Sequence, residues 1–242
     1  MDNCNNANNT ILNVLFASRE ENICVITKED KKKIKELIRD NDRYEKVLEF
    51  LDDATNDNIT IGLSISKKGG HIIYMNYNRD VSSEILSNEE ADKKGKEYLE
   101  KRGYTNMKET YYLKQEGVMT INYAYSQEGV VMYPDLIKVK VALDNGDILG
   151  VETTGYLNNH TTRDISNVKI TKEQAKENLN KDLNIESEGL AVIPTEWQTE
   201  ILCYEFKGKV DDTEFLVYIN AENGREEDIL VIKDTPNGIL TM

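Results

Sequence analysis

A strand–turn–strand pattern over Asp135–Tyr156 constrains the fold of this chain more than any other stretch of its sequence. Apolar residues alternate with lysines over Ile137–Val141, which is the period of two that a half-buried strand shows. Asp144–Asp147 follows as Asp-Asn-Gly-Asp, and Asn and Gly tolerate the positive φ of tight hairpin turns. A second apolar run lies at Ile148–Val151. The stretch therefore predicts a β-hairpin.

The same pattern recurs twice, around the turn glycines Gly70 and Gly224, and each copy follows a helix start of one kind. Each start has a hydroxyl residue that can cap a free backbone N–H, and in two of the three a Glu or Gln three residues later completes a capping box. The three starts are Thr27 with Asp30, Ser87 with Glu90, and Thr171 with Gln174, and Asp30 is the one that does not complete the box. A repeat of this size sets the architecture of a chain.

Three such copies predict an α+β chain of three tandem units, each a helix packed on a small antiparallel sheet closed by a β-hairpin. The predicted boundaries are a disordered start at 1–9, unit 1 at 10–82, unit 2 at 83–157, a linker at 158–168 and unit 3 at 169–242. The Asn-rich start has nothing to bury, and the linker is polar and without periodicity.

Weaker signals place further elements inside these units. In unit 1, apolar runs at Ile11–Phe16 and Asn22–Ile26 predict a hairpin. In unit 2, Gly103 suits the left-handed cap at the end of a helix, and Pro134 is expected to break the sheet edge before the organising hairpin. The apolar helix faces are Ala91, Gly95, Tyr98 and Leu99 in unit 2, and Ala175, Leu179 and Leu183 in unit 3.

The acidic composition limits the classes of partner. Thirty Lys and Arg against 44 Asp and Glu give a formal net charge of −14, which argues against binding to nucleic acid because phosphate backbones are repelled. The acidity either serves solubility or complements a basic partner surface. No stretch approaches the roughly 18 apolar residues of a membrane helix, and no basic-then-apolar leader is present, so no membrane contact is predicted for this chain.

Residue types that carry chemistry are sparse. Cys4, Cys24 and Cys203 are widely spaced without a CxxC pair, and the last two lie in apolar runs typical of buried thiols. HExxH, GxSxG, P-loop and GxGxxG motifs are absent, and neither His71 nor His160 has a metal-ligand spacing. We predict no catalytic, metal or cofactor-binding residue and no enzyme. A glycosidase needs only two carboxylates, so an enzyme that uses a carboxylate pair is the alternative from another class.

Aromatic residues are the candidate partner-binding residues. Trp197, the only tryptophan, lies in a polar loop after a proline, where it either packs between units or anchors a partner interface. Thirteen tyrosines against four phenylalanines indicate half-buried sheet faces that serve packing or docking. We predict partner contacts by Trp197, Tyr111, Tyr123 and Tyr133.

Three sets of residues carry a resemblance to a known family. They are SISKKGGHIIYMNYNRDV at Ser64–Val81, Leu99–Tyr112 together with Tyr133–Leu157, and AVIPTE at Ala191–Glu196 with CYEFKG at Cys203–Gly208. These stretches resemble the C-terminal region of the YpeB family of spore germination proteins. The helix-plus-hairpin units look like PepSY domains, small modules found beside peptidases and in cell-envelope proteins.

The resemblance implies a non-enzymatic regulator of spore germination. It would bind, stabilise and hold inactive a SleB-type cortex-lytic peptidoglycan hydrolase until germination, at the outer face of the inner membrane or the cortex of the endospore. It also implies that a longer N-terminal region with a membrane anchor belongs to the full-length protein. The alternative is a general PepSY-type peptidase inhibitor or assembly chaperone of the cell envelope.

Two further expectations concern the linker and the oligomeric state. Release of the hydrolase is expected to follow proteolysis in the exposed linker, at Asn158, Asn159, His160 and Asn167. Modules edged by hairpins can exchange elements between chains, so a homodimer with exchanged elements is a second expected partner.

Overall fold

The computed structural model describes residues 23–27, 58–66, 71–197, 199–235 and 238–241, in which strands predominate. The strands are β1 (Ile23–Thr27), β2 (Asn58–Ile65), β3 (Ile72–Asn78), β4 (Met107–Gln115), β5 (Val118–Gln127), β6 (Val130–Ala142), β7 (Ile148–Glu152), β8 (Asn184–Pro194), β9 (Glu200–Val210), β10 (Thr213–Asn220), β11 (Glu226–Thr235) and β12 (Gly238–Thr241). The helices are α1 (Asn88–Lys101), α2 (Thr154–Asn159) and α3 (Lys172–Lys176). The predicted α+β class is confirmed, in a form rich in sheet.

The chain divides into two compact bodies. The N-terminal body comprises the described residues up to 103 with 116–118 and 138–154, and the C-terminal body comprises 104–115, 119–137 and the described residues from 155 onward. The three predicted units and their boundaries stay a prediction. The predicted disordered start at 1–9 lies outside the described residues.

In the N-terminal body, antiparallel strands follow the order β1-β2-β3-β7, and β7 then pairs with the second half of β6. Helix α1 begins at Ser87, whose hydroxyl accepts from the Glu90 N–H while the Glu90 carboxylate accepts from the Ser87 N–H. The helix is followed by Gly103 at φ +81°. Its buried face is Ala91, Gly95, Tyr98 and Leu99. The predicted capping box, apolar face and terminal glycine of α1 are therefore confirmed.

A tight turn joins β6 to β7. The two strands are in register at Lys138 opposite Glu152, and Gly146 in the turn has φ +82°. Arg79 donates from its two terminal nitrogens to the two carboxylate oxygens of Asp144, each at 2.7 Å. This hydrogen-bonded pair raises the pKa of Arg79 and lowers the pKa of Asp144. Both ions thus hold the turn to the chain segment that follows β3.

In the C-terminal body, the sheet closes on itself. Starting from the first half of β6, the strand order is β6-β5-β4-β12-β11-β10-β9-β8. Strand β8 then pairs in parallel with β6, with Val131 opposite Ala191, so the strands form a closed ring. A capping box at Thr171 and Gln174 begins α3, as predicted. The core beneath α3 contains Ala175, Leu179, Phe206, Ile219 and Ala221.

Two predicted elements differ from the structure. Strand β6 continues through the buried Pro134 instead of breaking there, and its parallel pairing with β8 lies before the proline, at Val131 and Met132. The unit 3 helix is only α3, and Leu179 and Leu183 follow it in turns while packing in the same core. Strand β1 pairs with β2, and the other half of its predicted hairpin, at 11–16, lies outside the described residues.

Candidate functional site

Strands of the C-terminal body line a cavity of about 370 Å³, a volume typical of ligand pockets. The lining comes from β4, β6, β8, β9, β10 and β11. Its apolar side chains are Val131, Leu136, Ile193, Leu216, Leu230 and Ile232. A cavity of this size, lined by apolar side chains interleaved with polar ones, is a natural place to seek a binding function.

Among the polar residues that line this cavity, a carboxylate and two tyrosines form one connected group. The Tyr133 hydroxyl donates to Glu205 Oε2 at 2.7 Å, and the Tyr133 ring meets the Tyr218 ring edge-on with centroids 6.1 Å apart. Burial, reinforced by the Glu205 charge, raises the pKa of both tyrosine hydroxyls. Both hydroxyls therefore remain protonated donors, and Glu205 is the acceptor of the group.

The β8–β9 hairpin carries the most exposed aromatic side chain in the described part of the chain. Trp197 is 85% exposed in the loop that follows β8. Thr195 closes this loop, because its N–H donates to the Thr199 carbonyl at 2.8 Å and the two hydroxyls lie 2.7 Å apart. A large aromatic ring exposed to water at the end of a hairpin is typical of a partner contact.

The predicted partner-binding residues lie in different surroundings. Tyr111 and Tyr133 both line the cavity, whereas Trp197 is not among the lining residues. Tyr123 is 0% exposed, so it belongs to the core and has no side-chain surface for a partner. The structure therefore brings together two of the four, and Trp197 is a separate exposed side chain whose partner contact stays a prediction.

A buried ion cluster holds the first half of the predicted linker. Asp135, whose side chain is 0% exposed, accepts from Arg163 Nη1 at 3.0 Å and Nη2 at 2.7 Å. Arg163 also donates to Glu200 at 2.5 Å and 2.7 Å. These bonds, that to Glu200 first, raise the pKa of Arg163. His160 Nδ1 lies 2.8 Å from Asp135 Oδ2, and its ring stacks on Tyr156 at 4.1 Å.

The other linker residues vary in how they are held. The Asn159 amide donates to the Pro134 carbonyl at 3.0 Å, and the Arg163 N–H donates to the Gln127 side chain at 3.0 Å. Asn158 is exposed at the end of α2, and Asn167 is exposed with only a 3.4 Å bond to Glu222. The first half of the segment is therefore bonded to β5 and β6.

Sequence reasoning missed this ion cluster. The available signal was Asp135 itself, a carboxylate within the apolar run of β6, because a buried charge requires a partner. The partner could not be named in advance, since Arg163 lies in a polar stretch among several alternatives.

By residue type, His160, Asp135 and Glu200 could suggest a metal site, but Arg163 already bridges the two carboxylates. Within the described residues, no group of three or more His, Cys, Asp or Glu side chains could hold a metal ion. Over the same residues, no helix is both long and apolar enough to cross a membrane.

Comparisons with known proteins relate the whole chain to one family. A family model described as YpeB sporulation, PepSY1 and PepSY2 domains matches residues 3–166, and one described as Peptidase propeptide and YPEB domain matches residues 169–230. Sporulation protein YpeB of Halalkalibacterium halodurans is 37% identical over 167 residues, and that of Bacillus subtilis is 33% identical over 176 residues.

These matches cover 69% and 72% of this chain but only 37% and 39% of the two relatives, so the chain spans well under half of their length. Among solved structures, the Bacillus megaterium YpeB C-terminal domain matches with a TM-score of 0.68 and 25% identity. That match covers 94% of this chain and 96% of the other.

Proposed function

Because the chain belongs to the YpeB family of sporulation proteins, we propose that it is a non-enzymatic regulator of spore germination. It binds, stabilises and holds inactive a SleB-type cortex-lytic peptidoglycan hydrolase until germination. The observation that carries this proposal is the match of residues 3–166 to the model described as YpeB sporulation, PepSY1 and PepSY2 domains. The site of action is the endospore, at the outer face of the inner membrane or the cortex.

The proposed mechanism is steric occlusion by PepSY-like units, each a helix on a small sheet closed by a hairpin, with the predicted boundaries. The β8–β9 hairpin supports it, since it offers an exposed aromatic anchor in Trp197. Glu196 precedes this anchor, and with the net charge of −14 it favours a basic face on the partner. Release follows cleavage within 158–168.

The test is cortex hydrolysis by the partner enzyme as this chain is titrated in. The expected result is loss of activity that saturates near an equal molar ratio. Trp197→Ala should weaken inhibition roughly thirtyfold or more, because a truncated interface anchor costs about 2 kcal/mol or more. Ile85→Ala is the matched control, since Ile85 is also a highly exposed apolar side chain (72%) but carries no proposed contact.

Unchanged hydrolysis at a large excess of the chain would overturn inhibition by these residues. Equal inhibition by Trp197→Ala and the unaltered chain would remove the hairpin from the interface. The chain alone provides the baseline, and turnover of cortex fragments in that arm would instead indicate the enzyme with a carboxylate pair.

A general PepSY-type peptidase inhibitor or assembly chaperone is the second candidate. The description of the model that matches residues 169–230 names peptidase propeptides and thereby favours it. The two candidates differ in partner: tight binding to a peptidase, with no effect on cortex hydrolysis, would select the second.

A further inference from the structure

Two β-hairpins of the chain carry the same turn, with an asparagine–glycine pair at its tip. One joins β6 to β7 and contains Asn145–Gly146, and the other joins β10 to β11 and contains Asn223–Gly224. The two glycines have positive φ values of +82° and +77°, and both asparagines are exposed. In each turn the glycine N–H donates at 2.9 Å to the carbonyl four residues earlier, that of Ala142 or Asn220. The backbones of the two turns are therefore matched.

An asparagine that is followed by glycine can undergo a covalent change in water. The glycine backbone nitrogen, once it has lost its proton, attacks the side-chain carbonyl carbon of the asparagine; a new N–C bond forms, and the side-chain amide nitrogen leaves as ammonia. Water then opens the resulting cyclic imide at either carbonyl, which yields aspartate or isoaspartate. Glycine favours the reaction because it has no Cβ to shield its nitrogen. The reaction requires no enzyme and no reactant other than water.

Both asparagine side chains lie beside the glycine peptide unit. Each side-chain oxygen accepts from the backbone N–H two residues on, which is Asp147 at 3.0 Å in the first turn and Arg225 at 2.9 Å in the second. A local bond of this kind is typical of asparagine in turns, and it keeps the side chain close to the nitrogen that would attack it. The two turns are therefore matched in this contact as well, so a difference in reactivity has to come from the remaining bonds.

The side chain of Asn145 is held from two further directions, whereas that of Asn223 is not. The Asn145 oxygen also accepts from Arg79 Nη2 at 2.7 Å, and its amide nitrogen donates to the Asp147 carboxylate at 2.7 Å. Arg79 is in turn fixed by its two bonds to Asp144. Within the part of the chain that the structure describes, the Asn223 side chain makes only the one hydrogen bond given above.

The neighbouring Asn220 holds the backbone of the second turn but leaves the reacting side chain free. Its oxygen accepts from the Glu222 N–H at 2.8 Å and from the Asn223 N–H at 3.2 Å. These bonds do not restrict rotation about the Cα–Cβ bond of Asn223. Its amide can therefore turn its carbonyl carbon toward the glycine nitrogen, whereas the amide of Asn145 must first break bonds to a cation and a carboxylate.

We propose that Asn223 is a site of spontaneous deamidation in the folded chain, and that Arg79 and Asp147 protect the matching Asn145. The product at residue 223 places a new carboxylate beside Glu222, and its isoaspartate form adds a backbone carbon to the turn. Both changes should loosen the pairing of β10 with β11 next to the turn, because the tight turn requires its present length and bonds. The modification needs only time and water, and it depends neither on a partner nor on the mechanism proposed above.

The first experiment compares the folded chain with the same chain in concentrated guanidinium chloride, at mildly alkaline pH because the glycine nitrogen must lose its proton. Trypsin places the two sites in separate peptides, 141–163 and 210–225, and the remaining Asn-Gly pair of the sequence, at 237–238, in a third. Mass spectrometry with backbone fragmentation distinguishes asparagine, aspartate and isoaspartate. The unfolded rate divided by the folded rate gives the protection at each site. Protection at Asn145 should exceed that at Asn223 by roughly tenfold or more, because its bonds to charged groups must open first.

The second experiment removes the bonds that protect the first turn. Arg79→Gln should speed deamidation of Asn145 in the folded chain roughly tenfold or more, because a hydrogen bond to a charged group is lost, and should leave the other site unchanged. Asp147→Ser removes the carboxylate acceptor and should act in the same direction, so the test does not depend on one variant. Lys138→Gln is the matched control: it removes a cation from the same hairpin, in a pair with β7 away from the turn, and should leave the rate at Asn145 unchanged.

Several results would overturn the proposal. An Asn223 that stays unmodified in the folded chain while the unfolded chain reacts would show that the fold prevents the reaction. Equal protection at the two sites would contradict the role of Arg79. Faster reaction at Asn145 than at Asn223 in the folded chain would mean that Arg79 activates the carbonyl instead of holding it. Formation of aspartate without isoaspartate would exclude the cyclic imide and assign the change to direct hydrolysis of the amide.

Discussion

At the scale of single residues, the Asp135–Arg163 pair makes the largest demand on stability. A carboxylate whose side chain is 0% exposed costs free energy unless a cation and hydrogen bonds compensate it. Arg163 supplies both, while it also bonds Glu200. The pair therefore fixes residues 158–163 to the β6 strand, which is a structural role with consequences for any cleavage there.

Removing the cation should be strongly destabilising. Arg163→Met leaves Asp135 buried without its principal partner, so the free energy of unfolding should fall by about 3–5 kcal/mol, measured by urea denaturation with an unchanged m-value. Lys172→Met breaks a pair with Glu188 on the surface and should change stability far less, because an exposed ion pair contributes little. Similar losses in the two variants would contradict the structural role of the cluster.

The Cys203 thiol gives the chain an alkaline dependence of stability. Burial raises the pKa of Cys203 to about 12, so the unfolded chain loses this proton first as the pH rises. Below the ordinary thiol pKa near 9.0 this thiol therefore leaves the free energy of unfolding unchanged. Above that pH the free energy of unfolding falls, by up to about 1.4 kcal/mol per pH unit.

Cys203→Ala should remove this slope. Between about pH 9 and 10, below the ordinary range of tyrosine, denaturation curves of Cys203→Ala should depend less on pH than those of the unaltered chain. Both chains keep Cys4 and Cys24, so those thiols cancel in the comparison. Parallel stability curves for the two chains would show that Cys203 titrates equally when folded and unfolded.

At the scale of elements, the best sequence predictions are those decided by neighbouring residues. The capping boxes at Ser87 and Thr171 depend on a residue three positions away, and both form. The turn glycines Gly146 and Gly224 have φ of +82° and +77°, as their role in tight turns requires. Local chemistry suffices at these positions because no distant contact competes with it.

Elements decided by distant pairing were not predictable. The continuation of β6 through Pro134 and its parallel pairing with β8 join residues far apart in the sequence, and no local pattern encodes that partner. The cavity follows from this closure, so Tyr111 and Tyr133 were selected as aromatic residues without their common surroundings being known. The buried position of Tyr123 likewise depends on strands outside its own.

The β6–β7 turn offers a direct test of its glycine. Gly146→Ala should lower the free energy of unfolding by about 1–2 kcal/mol, since a residue with a Cβ is strained at φ +82°. The added Cβ would lie 3.1 Å from Lys94 Cγ, on a flexible side chain that can move. Gly146→Asn should cost less, because asparagine adopts the left-handed region more readily.

Gly189→Ala is the control for that test. This glycine does not have a positive φ, and a Cβ added there would meet nothing within 4 Å, so the substitution should leave stability nearly unchanged or slightly raised. A loss at Gly146→Asn as large as at Gly146→Ala would show that space, and not backbone strain, determines the cost.

At the scale of the whole molecule, the first matching family model ends at residue 166 and the second begins at residue 169. This boundary lies beside an exposed stretch. Ser166, Asn167 and Val168 are exposed, whereas the preceding segment is bonded through Asn159 and Arg163. A protease must draw several residues of backbone into its own cleft, which bonded segments resist. Accessibility to cleavage should therefore differ sharply between the two halves of the predicted linker.

Limited proteolysis with a protease of broad specificity should make its first cut in this region between 164 and 168, with fragments identified by mass spectrometry. Arg163→Met should add rapid cuts within 158–163, because the bonds to Asp135 and Glu200 are lost; Lys172→Met should leave the pattern unchanged. A first cut within 158–163 of the unaltered chain would contradict the protection by Arg163.

Because the proposed release requires cleavage in this region, a chain that has been cut between 164 and 168 should no longer inhibit cortex hydrolysis. Full inhibition by the cut chain would exclude that route.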